Sequence, residues 1–283
     1  MNKHIALILL LSASLFLSGC IDMESVVTVK KDGSGTIEET TLLSAQMAAM
    51  MAMATAGLPQ QGGGPPQSGP NLLVTEEQAK TKATQMGPGV TLQGIETLKT
   101  ADGRQGQKVV YAFTDIAKVQ YQQGDPSAVP AAAAAGASAN PITFAFSNGT
   151  LTVKNGSSKP TAAPPLPTGP GNATPPAGAP PATPLPSDQE VAMMKTMFTG
   201  MRVAFKVKSA SGIASTDATF VDGDTVTLMD LQMDKLFDNV AVLGKLSTLT
   251  DNPNISPAAA SEALKGIDGV KAEVKDTITI KLK

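Results

Sequence analysis

From Val26 onward, apolar and polar residues change places at every second position in several short runs, the period of a half-buried strand. Val27 and Val29 alternate with Thr28 and Lys30, and the pattern resumes at Thr36 and Ile37 and continues through Leu43. Between these runs lies Lys31-Asp32-Gly33-Ser34-Gly35, so the two predict a hairpin. Asp32 and Ser34 look like the start of a calcium loop, but the later ligands of an EF-hand do not follow, and a plain turn is expected. Val90 to Leu98 and Lys108 to Phe113 predict a second pair of strands around Asp102-Gly103. Ile142, Phe144 and Phe146, then Asn148-Gly149, then Leu151 and Val153 predict a third, because Asn-Gly suits the positive φ angles of a type I′ turn. Further strands are expected at Val203-Phe205-Val207, at Ala218 to Phe220, at Thr225 to Met229 after Asp222-Gly223, and at Ile278, Ile280 and Leu282.

Other stretches carry the helical period. Ser44 can cap a helix to about Ala56, with Leu43, Met47, Met50, Met51, Ala54 and Leu58 along one side and Gly57 and Pro59 ending it. Thr75-Glu76-Glu77-Gln78 has the form of a capping box, followed by Ala79, Ala83 and Met86 at inward spacing and a stop at Gly87-Pro88. A second box, Ser187-Asp188-Gln189-Glu190, precedes Val191, Met194, Met197, Phe198 and Met201 on one face. Helices are also expected near Asp234 to Leu246 and after Ser256-Pro257.

Between these elements, residues 57–72, 122–140 and 157–187 are rich in Pro, Gly, Ala or Gln and are expected to be disordered inserts. The whole predicts an α+β fold: a mainly antiparallel sheet of hairpins with a few amphipathic helices packed on one face. Neither side of the 157–187 stretch carries an obviously complete core, so residues 26–283 are read as a single discontinuous domain rather than two.

The N-terminus changes the picture. Lys3 precedes an apolar run from Ile5 to Leu17, too short for a spanning helix and suited to a secretory signal. It ends in Leu17-Ser18-Gly19-Cys20, which resembles the bacterial lipobox. Residues 1–19 are therefore expected to be removed, Cys20 to carry acyl chains such as palmitate, and residues 20–25 to form a tether. Several chains anchor stably where a single one binds marginally. The residue after the cysteine is Ile21 rather than the Asp that retains lipoproteins at an inner membrane. In a two-membrane bacterium this favours the periplasmic leaflet of the outer membrane.

Composition then removes function classes. The formal net charge is −2, and loss of Lys3 makes it one more negative. No basic run suggests nucleic acid. His4 is the single histidine and leaves with the signal, Cys20 is the single cysteine, and there is no Trp. Triads built on His, and zinc sites built on His or Cys, are thereby excluded from the mature chain. An enzyme is not expected, nor is a cofactor. The expected function is a membrane-anchored, non-catalytic binding or assembly module for a lipid, an amphiphile or an envelope protein. Two alternatives use what remains. Met50-Met51-Ala52-Met53 and Met193 to Met197 offer soft sulfurs for Cu(I), and carboxylates alone would serve a cell-wall hydrolase.

Cys20, the strand from Val26 to Lys30, the Lys31–Gly35 turn and the strand from Thr36 to Leu43 together resemble lipoproteins of the mycobacterial LppM type. The likeness continues at Met201-Arg202-Val203-Ala204-Phe205-Lys206-Val207, at Gly212-Ile213 and at the later Asp-Gly turn. The chain departs from that pattern in having no Trp in its last hairpin and in its long Pro-rich inserts. The resemblance implies a surface-anchored, non-catalytic module for lipid or amphiphile. Met47, Met50, Met194, Phe198 and Met201 are the residues expected to line an apolar site, since methionine adapts to varied apolar partners.

Overall fold

The computed structural model of the chain describes residues 21–49, 73–122, 141–155, 200–233, 235 and 266–283. The first hairpin forms where the alternation placed it: β1 (Ile21–Val29) pairs antiparallel with β2 (Gly35–Leu43) in a register that sets Val27 opposite Ile37. Val27, Val29 and Ile37 point to the same face and are fully buried. Side chains of that size contribute about 1.5–3 kcal/mol each when removed from water. The second hairpin, β3 (Val90–Lys99) and β4 (Gln105–Phe113), adds to β2 through β4.

Helix α1 (Glu76–Met86) precedes β3, and its capping box is complete. The Thr75 amide donates to Gln78 Oε1 at 2.8 Å, and the Gln78 amide donates to Thr75 Oγ1 at 3.3 Å. Ala79, Ala83 and Met86 face the core. Ser44 likewise accepts from the Met47 amide at 3.1 Å, and residues 45–49 are helical.

The remaining strands are β5 (Gln120–Tyr121), β6 (Ile142–Ser147), β7 (Thr150–Lys154), β8 (Arg202–Ser209), β9 (Ile213–Thr216), β10 (Val221–Asp222), β11 (Thr225–Gln232), β12 (Val270–Ala272) and β13 (Thr277–Leu282). The turn between β6 and β7 has Asn148 at φ 50° and Gly149 at φ 71°, as a type I′ turn requires. Residues 218–220, expected in a strand, instead lie in the connection between β9 and β10.

The strands build two sheets. The larger runs β10-β11-β8-β1-β2-β4-β3, with β12 also on β11, and the smaller runs β5-β6-β7-β13-β9. Among the described residues every pairing is antiparallel except β1 with β8, which run parallel with Asp22 beside Arg202 and Val29 beside Ser209. Val27, Ile37 and Phe205 from the large sheet and Phe144, Leu151 and Ile280 from the small one belong to a single apolar cluster.

This corrects the α+β expectation. Among the described residues strand dominates, and the face of the large sheet is covered mainly by a second sheet. The physical reason lies in β6, β7 and β13. Their period-2 apolar positions make an inward face of their own, and sheet on sheet is as stable a layer as helix on sheet.

One further expectation meets the structure differently, and two fall outside the described residues. Residues 21–25, read as a tether, are paired in β1, and Ile21 is 8% exposed opposite Leu43. Apart from Gln122, the stretches 57–72, 122–140 and 157–187 lie outside the described residues. So do the helices expected after Ser187 and Ser256 and all but the start of the one near Asp234.

Candidate functional site

Alternation on β1 sends Ile21, Met23, Ser25, Val27 and Val29 inward, which leaves Asp22, Glu24, Val26 and Thr28 on the outer face of the large sheet. The parallel register then brings Arg202 and Lys206 of β8 beside them, and β11 brings Asp230. Arg202 donates from Nε to Asp230 Oδ1 and from Nη2 to Asp230 Oδ2, both at 2.9 Å, a two-pronged pair. Its Nη1 also lies 3.3 Å from Glu24 Oε2, which accepts from Lys206 Nζ at 2.6 Å. The hydrogen bond to Asp230 raises the guanidinium pKa above its ordinary value, so Arg202 is a permanent cation.

Asp22 sits between two arginines, 3.5 Å from Arg202 Nη1 and 3.5 Å from Arg104 Nη1. Its Oδ1 makes no hydrogen bond among the described residues, where its contact with Arg202 is an ion pair. Arg104 donates from Nε to Asp102 at 2.8 Å. An unbroken line of alternating charge therefore runs from the β3–β4 turn across β1 and β8 to β11. Beside it opens a shallow groove of about 440 Å³ whose lining includes Glu24, Glu38, Lys206, Lys208, Asp230 and Lys271. Lys208 and Lys271 are exposed. The groove can receive a polar surface carrying both signs of charge.

A second polar cluster lies on the inner face. Tyr121 Oη is 2.7 Å from both Glu39 Oε1 and Ser25 Oγ. A phenol has one proton, which goes to the carboxylate, so Ser25 donates to the phenol oxygen. Lys82 of α1 reaches the same carboxylate at 2.6 and 2.7 Å, and the Tyr121 ring stacks on Phe205 with centroids 4.9 Å apart. Burial, with the Glu39 charge beside it, pushes the Tyr121 hydroxyl well above its ordinary value. The Tyr111 hydroxyl is also raised, mainly by burial, and has no hydrogen-bond partner among the described residues. A phenol held neutral and a carboxylate already shared by two donors join α1, β5 and β2.

A third buried group, Glu273, is 3% exposed and accepts from the Thr219 amide at 2.6 Å and from the Lys275 amide at 3.2 Å. Its carbonyl accepts from Asn155 Nδ2 at 2.9 Å. It fastens three connections together.

Of the residues the sequence singled out, Cys20, Met50, Met194 and Phe198 lie outside the described residues. Met47 is half-buried in the helical start after Ser44. Met201 is buried at 2% exposure just before β8, where its carbonyl accepts from the Met233 amide at 2.8 Å. Ile21, Leu43, Leu231, Met233 and Val270 are buried as well, apart from the cluster that joins the sheets. The Met runs that suggested Cu(I) lie outside the described residues, among which no group of three or more His, Cys, Asp or Glu could hold a metal. No helix among them is long and apolar enough to cross a membrane. Sequence reading missed Arg202, Asp230, Glu24, Tyr121 and Glu39. The polar member of each alternation was visible, but the parallel pairing of β1 with β8 that assembles them was not.

No family profile matches the chain, and no curated protein matches it significantly. Among solved structures, the chain is similar to the folded domain of the Mycobacterium tuberculosis LppM protein, determined by NMR. The identity is 11%, the alignment covers 77% of this chain and 85% of that one, and the TM-score is 0.32. This is a distant likeness only, and it says nothing of ligand or partner.

Proposed function

We propose that this chain is a lipid-anchored, non-catalytic module of the bacterial envelope that meets a partner protein on the charged outer face of its large sheet. The observation that carries the reading is the lipobox cysteine standing immediately before β1, so that the acylated residue and the sheet are one continuous piece of chain. Chemistry on the mature chain would have to use carboxylates, lysines and hydroxyls. The most buried of the described carboxylates, Glu39, Asp230 and Glu273, are engaged in ion pairs or in fastening loops. The groove beside Arg202 carries acids and lysines together, which suits a protein surface of mixed charge rather than a polyanion. Placement in the periplasmic leaflet of an outer membrane belongs to the same reading.

Cys20→Ala tests it. The variant is expected to lose labelling by a fatty-acid analogue and to leave the membrane fraction in detergent-free extracts. A variant that stays labelled and membrane-bound refutes the anchor. For the partner surface, a photo-crosslinking residue at the exposed Lys271 is expected to give one discrete adduct in intact cells. Glu24→Lys or Lys208→Glu should weaken that adduct, and an adduct indifferent to both charge reversals counts against the groove.

A further inference from the structure

We infer that the end of the large sheet holding the first residue of β1 rests directly on phospholipid headgroups, so that the domain stands in a fixed orientation on the membrane. The inference rests on the anchor reading above and adds which surface meets the lipid. Ile21 is already in the sheet, paired with Leu43, which is paired in turn with Gln105, which faces Lys99. On the other side Asp22 lies beside Arg202. No residue intervenes between Cys20 and this row. One residue of backbone spans at most about 3.6 Å, so only that step and the cysteine side chain separate the row from the lipid. The headgroup layer of one leaflet is itself about 5–8 Å deep, given a hydrocarbon core of about 30 Å in a bilayer of about 40–45 Å. Acyl chains that reach the core therefore draw the row into the headgroup layer.

The same end carries the β3–β4 turn, residues 100–104, whose Thr100 amide donates to the Arg104 carbonyl and which extends past Lys99 and Gln105. Arg104 belongs to this turn and touches Asp22, two residues from the anchor, so a guanidinium lies where lipid phosphates would be. The opposite end of the sheet carries the Lys31–Gly33 turn, just beyond Val29, which lies eight strand steps from Ile21, or about 26 Å at a strand's rise.

Cys20 is the single cysteine and its thiol is taken by lipid, so one introduced cysteine gives one probe site. Ala101→Cys and Lys31→Cys are exposed positions at the two ends. Full-length acylated protein, purified in detergent and returned to phosphatidylethanolamine/phosphatidylglycerol vesicles, would carry a fluorophore at either site, with a quencher on the lipid headgroup. The label at Ala101→Cys should be quenched at least threefold more than the label at Lys31→Cys. Ten Gly/Ser residues inserted between Cys20 and Ile21, with a reach of about 17 Å, should remove that difference while vesicle binding persists. Equal quenching at the two sites in bound protein without the insert overturns the orientation and leaves the anchor standing. Failure of the acylated protein to bind vesicles overturns the anchor, and the orientation with it.

Discussion

Tyr121 shows how single residues hold the interior. Its hydroxyl lies between Glu39 and Ser25, its ring lies on Phe205, and Lys82 sits 5.9 Å over the same ring. The folded state raises its pKa above the ordinary value of 10.0, so folded protein keeps a proton that unfolded chain releases in alkali. Stability from this group is complete below about pH 10 and is lost as pH rises above it, by about 1.4 kcal/mol per pH unit for one proton. Urea unfolding between pH 9 and 12 should show the decline, and Tyr121→Phe should make it shallower by about one proton. At neutral pH the same substitution should cost about 1–3 kcal/mol, because Glu39 and Ser25 lose a buried partner. An unchanged alkaline slope in Tyr121→Phe would refute this role. Little of this was legible in the sequence. Gln120–Tyr121 is too short for a period to show, and Glu39 looks like any polar position of a strand.

At the scale of elements, legibility follows the range of the forces. The hairpins and α1 are specified by neighbours within a few residues: Asn148-Gly149 by its φ angles, α1 by the Thr75–Gln78 exchange. Thr75→Ala should lower stability by about 1 kcal/mol, the usual worth of such a cap, and thermal melts with Gln78→Ala alongside would show whether the two side chains act together. A change below about 0.3 kcal/mol would mean that packing of Ala79, Ala83 and Met86 holds the helix without its cap. The elements the sequence did not disclose are those fixed at a distance. β5, β10 and β12 are two or three residues long and exist because a neighbouring strand accepts them. The sequence shows β6, β7 and β13 as strands but leaves them in one sheet with the rest, because period-2 runs announce a strand without saying which sheet it joins.

For the molecule as a whole, the order of strands decides what holds together. β1 and β2, before the Pro-rich stretch at 157–187, share a sheet with β8 and β11, which follow it. β6 and β7 likewise share the small sheet with β9 and β13. Halves that interleave in both sheets cannot separate without breaking strand pairs. Limited proteolysis should cut within 157–187 and give two fragments on a denaturing gel that migrate as one species under native conditions. Two independently folded fragments would instead show that the halves are separate units.

The parallel contact between β1 and β8 also sets an order of events as the chain folds. β1 is synthesised first, yet the strand that completes its pairing begins at Arg202 and follows much later. Until then the side of β1 that faces away from β2 offers its backbone amides and carbonyls to any strand that comes near. The first hairpin therefore waits, half-paired, for a segment that lies beyond the Pro-rich stretch at 157–187. That interval is when a wrong strand could take the place of β8.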